Sequence, residues 1–326
     1  MSEKIKLFLD GGGFTCVKAR GIVKSLEKRG KIPEEIQGVS GGAINAAKLV
    51  ESGFSSGEFD AGWLNMAAGH HHDIFKLDWY ELLFHPKRWL AGNSIYTDEG
   101  LLKLLGSLDP QKIVDSPIKL EVAVHNETDG RMEIMSNRDE IFRADPPLIL
   151  KAIKASASLT GFFPPVEING KYYSDGYYFH LEHTSGFDTV FVVVNDDPAP
   201  SISPFSNKFR RVFAGAGRVL DDVTKNQIEQ FLEHHRDEFS EFKVSSKDNV
   251  VLRLRNTFMR GMDKVLGKGR FVVITPNYSL PDLSTDKFKK TTYDKKGVVE
   301  KLGSLEMAMD LSYQQSEELM KEVYPE

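Results

Sequence analysis

Three short stretches bring together residue types that can carry out acyl chemistry. Gly38-Val39-Ser40-Gly41-Gly42 sets one serine among glycines, Asp10-Gly11-Gly12-Gly13 is a loop with no side chains over its last amides, and Asp175-Gly176 follows Tyr172, Tyr173 and Ser174. G-x-S-x-G is the pattern of a nucleophile elbow, a sharp strand-to-helix turn that exposes a serine hydroxyl at a helix N-terminus. That hydroxyl is a weak nucleophile until a neighbouring base takes its proton. Asp175, turned out by Gly176 and framed by Tyr172, Tyr173 and Tyr177, is the best-placed base, and burial among those rings would raise its carboxyl toward a useful value. Backbone N–H groups of Gly11, Gly12 and Gly13 would hold the oxyanion of a tetrahedral intermediate, each donor contributing about 3 kcal/mol. The competing readings are structural: two Gly-rich turns of an ordinary α/β sheet, and an Asp-Gly turn capping its own backbone. A Ser–Asp–His triad with His180 or His183 as base is the chemical alternative, although both follow Asp175 too closely to occupy a separate loop opposite Ser40.

Positioning these residues takes a parallel strand–helix–strand unit. Ile5 to Leu9 reads as a short strand, Cys16 to Arg29 as the crossover helix closed by Gly30 and Pro33, and Ile36 to Val39 as the second strand. The carboxyl ends of both strands then share one edge, which brings Gly11–Gly13 close to Ser40. Helices are expected over Ala43 to Val50, Gly57 to Ala68, Asp78 to Leu83 and Thr97 to Leu105, and one opening at Pro146-Pro147. Ile118 to Val124 and Arg131 to Met135 read as a hairpin, as do Val166–Ile168 and Lys171–Ser174 around Asn169-Gly170. Thr189 to Val194 has the apolar, β-branched composition of a buried parallel strand, and Phe271 to Ile274 reads as another. Leu220, Val223, Ile228, Phe231, His235, Phe239 and Phe242 keep a helical spacing, and Val298 to Met320 reads as closing helices.

The totals bound the answer. A chain of 326 residues, 40% hydrophobic and 27% charged, suits a globular protein with a sizeable core, and a net charge of −5 gives no support to nucleic-acid binding. One cysteine excludes an internal disulfide and fits a reducing compartment, so the expectation is cytoplasmic. The N-terminal apolar stretch is too short for a signal-peptide core, and no apolar run approaches the roughly 20 residues of a spanning helix. His70-His71-His72-Asp73 invites a metal hypothesis, but adjacent ligands seldom converge on one ion, and a solvated loop is the better reading. Gly11 to Cys16 lacks the G-x-G-x-x-G of a dinucleotide site.

Together the blocks resemble the patatin-like phospholipases, Ser–Asp dyad acyl hydrolases on a three-layer α/β/α sandwich with a mostly parallel central sheet. Asp10–Gly13 resembles the family's oxyanion loop, Gly38–Gly42 its elbow, and Ser156-Ala157-Ser158, Phe162–Val166 and Tyr173–Gly176 its approach to the dyad aspartate. The resemblance implies Ser40 as nucleophile, Asp175 as base, a lipid or phospholipid ester as substrate, and no metal or cofactor. It departs at three places: Thr15 and Cys16 stand where the family carries a basic residue and a glycine, and Tyr177 stands where it favours Gly or Ala. Lys18 or Arg20 could partly compensate, Tyr177 could narrow the pocket, and Cys16, at a helix N-terminus, could have a lowered pKa, although simple packing explains it as well. Residues 1–326 are expected to form one such domain, with 204–270 a mostly helical, partly basic, lid-like insertion. Within it Arg253 to Arg270 sets six cations against Asp263 alone, which suits peripheral contact with anionic membrane. The alternative to a hydrolase is a patatin-fold lipid-binding or regulatory protein with weak or absent catalysis.

Overall fold

The computed structural model describes residues 3–66, 94, 96–177, 180–181, 184, 186–195, 230, 239–245, 269–274 and 295–324. Its frame is a nine-stranded mixed sheet: β1 (Ile5–Leu9), β2 (Glu35–Gly38), β3 (Lys119–Asn126), β4 (Arg131–Ser136), β5 (Val166–Ile168), β6 (Lys171–Asp175), β7 (Thr189–Val193), β8 (Phe239–Ser245) and β9 (Gly269–Ile274). The order is β5-β6-β3-β2-β1-β7-β9-β8, with β4 also paired to β3. From β3 through β8 all neighbours are parallel, while β4, β5 and β6 pair antiparallel.

Alternation along the strands sends Ile5, Leu7 and Leu9 into one large core with Ile36, Leu120, Val122, Val124, Phe191 and Val193. The described helices cover that face: α1 (Arg20–Lys28), α2 (Gly41–Glu51), α3 (Ser56–Asn65), α4 (Glu99–Leu105), α5 (Pro110–Asp115), α6 (Glu140–Ala144), α7 (Pro147–Ser156) and α8 (Lys295–Val323). The closing segment is thus one 29-residue helix, not several, and it lies against α1. The opposite face carries a smaller cluster around Phe8, Val39, Ala123, Val190, Val192 and Val194. The helical layer expected over it falls outside the described residues.

One expectation is corrected. Phe239 to Ser245 is a strand paired parallel to β9, although Phe239 and Phe242 fit helical spacing. Three-residue spacing of two aromatics cannot separate a helix from a strand when pairing with a distant neighbour decides. Arg270, the last cation of the basic stretch, belongs to β9, where it meets Glu3 at 2.5 Å and the Val323 carbonyl at 2.6 Å and lies over the Tyr324 ring. The rest of the basic stretch, 253–268, lies outside the described residues, as do His70–Asp73 and Asp78–Leu83. Among the described residues no helix is long and apolar enough to cross a membrane.

The second face also buries charge. Lys6, fully enclosed, bonds Glu35 and, at 2.9 Å, Glu121, and Lys119 bonds the same two carboxylates. Burial by itself would raise the Glu121 pKa, but Lys6 beside it, with hydrogen bonds from Lys119 and Gln37, holds it down at about 2. Its contribution to stability is therefore present above the ordinary glutamate range and is lost as pH falls through about 2. Lys6→Met is expected to cost about 3–5 kcal/mol, because it strands buried carboxylates, and adding Glu35→Gln and Glu121→Gln should restore most of it. Urea unfolding of the single and triple variants checks this, and equal losses in both would refute it.

Candidate active site

The pairing of β3 explains how Ser40 and Asp175 meet. β4 pairs with β3 from Glu121 to Asn126, so the other two partners share the opposite edge. There β2 pairs as far as Gly38 opposite Val122, and β6 takes over antiparallel, ending with Asp175 opposite Val124. The two strands therefore point at each other along one edge, about 7 Å apart at 3.3 Å per residue. Ser40 lies in the gap.

The elbow that fills it is tight. Ser40 has φ 54° and ψ −128°, left-handed backbone that costs a non-glycine residue about 1–3 kcal/mol. Neighbours hold it there: the Gly42 N–H donates to Val39 O at 2.8 Å, and the Ser40 N–H donates to Ser156 Oγ at 3.0 Å. The Ser156 hydroxyl in turn donates to the Ala123 carbonyl of β3 at 2.7 Å. Glycine is required at two flanking positions, since a Cβ on Gly38 would come within 2.4 Å of Gly42 O and one on Gly42 within 2.1 Å of Leu9 O. α2 starts at once, so its positive end lies beside the serine and favours negative charge there.

Asp175 is 2% exposed. Its carboxylate accepts hydrogen bonds from the Ser40 side chain and, at 2.8 Å, from the Tyr177 N–H, and its own N–H donates to Ser158 O at 2.9 Å. Burial is the dominant influence and pushes the carboxyl up to about 7, the two donors opposing it. The direction agrees with the sequence reading. Tyr177 has φ 60° and is half-buried, its phenol held by Thr160. Thr160 also bonds Glu127 and Ser174, so the ring is tied to a polar chain beside the aspartate.

The glycine loop closes the third side. A Cβ on Gly11 would lie 3.0 Å from Ser40 Cβ, and one on Gly41 would lie 3.4 Å from Gly13 N, so loop and elbow are in contact. The Gly11 N–H donates to Asp10 Oδ1 at 2.8 Å, which commits that amide within the loop. Asn195, just past β7, donates through Nδ2 to Asp10 O at 2.9 Å and Gly11 O at 3.0 Å.

Other candidates are placed elsewhere. The His180 backbone is pinned to Gln37 by bonds of 2.8 and 3.2 Å, and His183 lies outside the described residues. Arg20 is engaged with Asp60 at 3.0 Å and the Met309 carbonyl at 3.1 Å, so it does not replace the missing basic residue of the loop. Cys16 is fully buried, and burial foremost, then the charges of Asp10 and Asp175, pushes its thiol up, the reverse of an activated cysteine. The sequence marks Ser156 only as part of the Ser156-Ala157-Ser158 block, and the only signal for Asn195 is a first polar residue after an apolar strand.

A family model described as patatin-like phospholipase matches residues 7–180, more than half of the chain. Among solved structures, VipD from Legionella pneumophila aligns over 99% of this chain and 67% of its own, at 14% identity and a TM-score of 0.42. The type III effector protein ExoU aligns over 97% of this chain at 14% identity and a TM-score of 0.33, and the chain spans 54% of its length. No curated protein matches the sequence.

Proposed function

The chain belongs to the patatin-like phospholipase family, and on that premise we propose that it is a serine hydrolase of lipid acyl esters, with Ser40 as nucleophile and Asp175 as its base. The observation that carries this reading is the Ser40–Asp175 hydrogen bond inside a strained elbow, made to a carboxyl held near neutrality. Asp175 takes the Ser40 proton as Oγ attacks the ester carbonyl. The carbonyl oxygen becomes an oxyanion beside the glycine loop and the α2 N-terminus. Its collapse expels the alcohol, which leaves with the proton from Asp175. Water then attacks the acyl-serine with Asp175 again as base, and the fatty acid departs with Ser40 restored. A base with a pKa near the working pH is well suited to accept and return the proton in turn.

The test is a fluorophosphonate, which reacts only with an activated serine. Adduct on Ser40 in the parent, and none in Ser40→Ala, is expected by peptide mass spectrometry. A folded parent that stays unlabelled with and without lipid vesicles would overturn the hydrolase and favour the binding protein, a reading to which Thr15 and Cys16 in the loop lend weight.

The pH profile is a second check. Because Asp175 must be ionised to act, kcat/KM on a soluble ester should rise about tenfold per pH unit below about 7 and level off above it. A profile flat from pH 5 to 8 would remove Asp175 from the role.

A further inference from the structure

We propose that Asn195 is a positioning residue that aims the oxyanion loop, an inference that rests on the hydrolase reading above. A trans peptide carries its C=O and the next N–H on opposite sides. Whatever holds the Gly11 carbonyl therefore sets the direction of the Gly12 N–H. Asn195 Nδ2 holds that carbonyl at 3.0 Å and the Asp10 carbonyl at 2.9 Å. The strand order supplies the direction: β1 lies between β7 and β2, Asn195 follows β7, and Ser40 follows β2. Drawing the Gly11 carbonyl toward β7 turns the Gly12 amide toward β2 and the serine.

Three further observations show a built clamp. Asn195 is 3% exposed, and its own N–H reaches Asp10 Oδ2 at 3.4 Å. The Asp10 N–H donates to Val193 O at 3.1 Å, which joins the ends of β1 and β7. Both contacts of the side-chain amide are to carbonyl oxygens, so only the orientation that offers both of its N–H groups fits. Its Oδ1 is left buried and without a hydrogen-bond partner among the described residues. A buried acceptor left so costs about 1–3 kcal/mol, which a residue kept only for packing would avoid as leucine.

Asn195→Leu, which keeps the shape and deletes both donors, separates aiming from packing. On a soluble p-nitrophenyl ester, kcat should fall about 10²-fold with KM within twofold, the pattern of an interaction made only in the transition state. A trifluoromethyl ketone, which forms an anionic tetrahedral adduct on serine, should bind weaker by a similar factor, while a non-cleavable amide analogue of the ester binds unchanged. Asn195→Ser, smaller and with one donor, should lie between parent and Asn195→Leu, and it carries the test if the leucine variant does not fold. Ser40-dependent turnover in the parent, with both variants within threefold of it, would overturn the Asn195 assignment alone. Equal losses in ketone and amide binding would also overturn it, since they mark general collapse of the site. A parent with no Ser40-dependent turnover would overturn the assignment together with the reading it rests on.

Discussion

Asp175→Asn is expected to lose at least about 10³-fold in ester turnover and to gain stability above neutral pH, both from one cause. Burial raises the carboxyl to about 7 against an ordinary value of 3.8. Between these values the folded protein holds a proton that the unfolded chain has released, so stability falls as pH rises through that window. A gap of about three units corresponds to about 4 kcal/mol once the native carboxylate is ionised. Asparagine cannot ionise and avoids that cost, although it gives up charge-assisted bonds from Ser40 and the Tyr177 N–H. The net gain should be about 3 kcal/mol larger at pH 8 than at pH 4.5. Denaturant unfolding at the two pH values reads it directly, and a gain independent of pH would show that the carboxyl is not held near neutrality.

The second large effect is on folding. Gly42→Ala would put a methyl group 2.1 Å from Leu9 O and 2.5 Å from Asp10 O. Both obstacles are main chain at the end of a central strand, so neither can swing aside as a flexible side chain would. Such overpacking against rigid backbone belongs to the exceptional class above about 4 kcal/mol, and soluble folded protein should be scarce. Gly13→Ala is the control. Its methyl would meet nothing within 4 Å, and its φ of 58° costs about 1–2 kcal/mol. Comparable yields of the two variants would mean that β1 and α2 are not packed as tightly as described.

The difference between these glycines was only half legible in the sequence. Pattern alone marked Gly11–Gly13 and Gly38–Gly42 as neighbours, because a strand–helix–strand unit has one topology and glycine runs mark its turns. It also picked Asp175, since a strand end framed by tyrosines is a rare place for a carboxylate. What it could not show is what each glycine faces, because Leu9 O over Gly42 comes from packing and not from spacing. Ser156 and Asn195 were hidden for the same reason. Each acts through a hydrogen bond to residues more than a hundred positions away, and the Ser156-Ala157-Ser158 block and the first polar residue after β7 do not reveal those partners. At Phe239–Ser245 the sequence misleads, because two phenylalanines three apart satisfy a helix, while the strand's partner, β9, is about thirty residues further along the chain. Local geometry was readable; long-range support was not.

The β1–β7 ladder bears on any attempt to dissect this protein. Family similarity ends at residue 180, and a fragment cut there would keep Ser40, Asp175 and every loop glycine. It would lose β7, which pairs with β1 along its whole length, from Ile5 opposite Thr189 to Leu9 opposite Val193. β1 would then be a bare edge of buried apolar residues, the kind of strand that recruits other chains. The matched segment is therefore not a folding unit: it has the proposed Ser40 and Asp175 without the strand that covers β1, and truncation at its boundary is expected to yield aggregates.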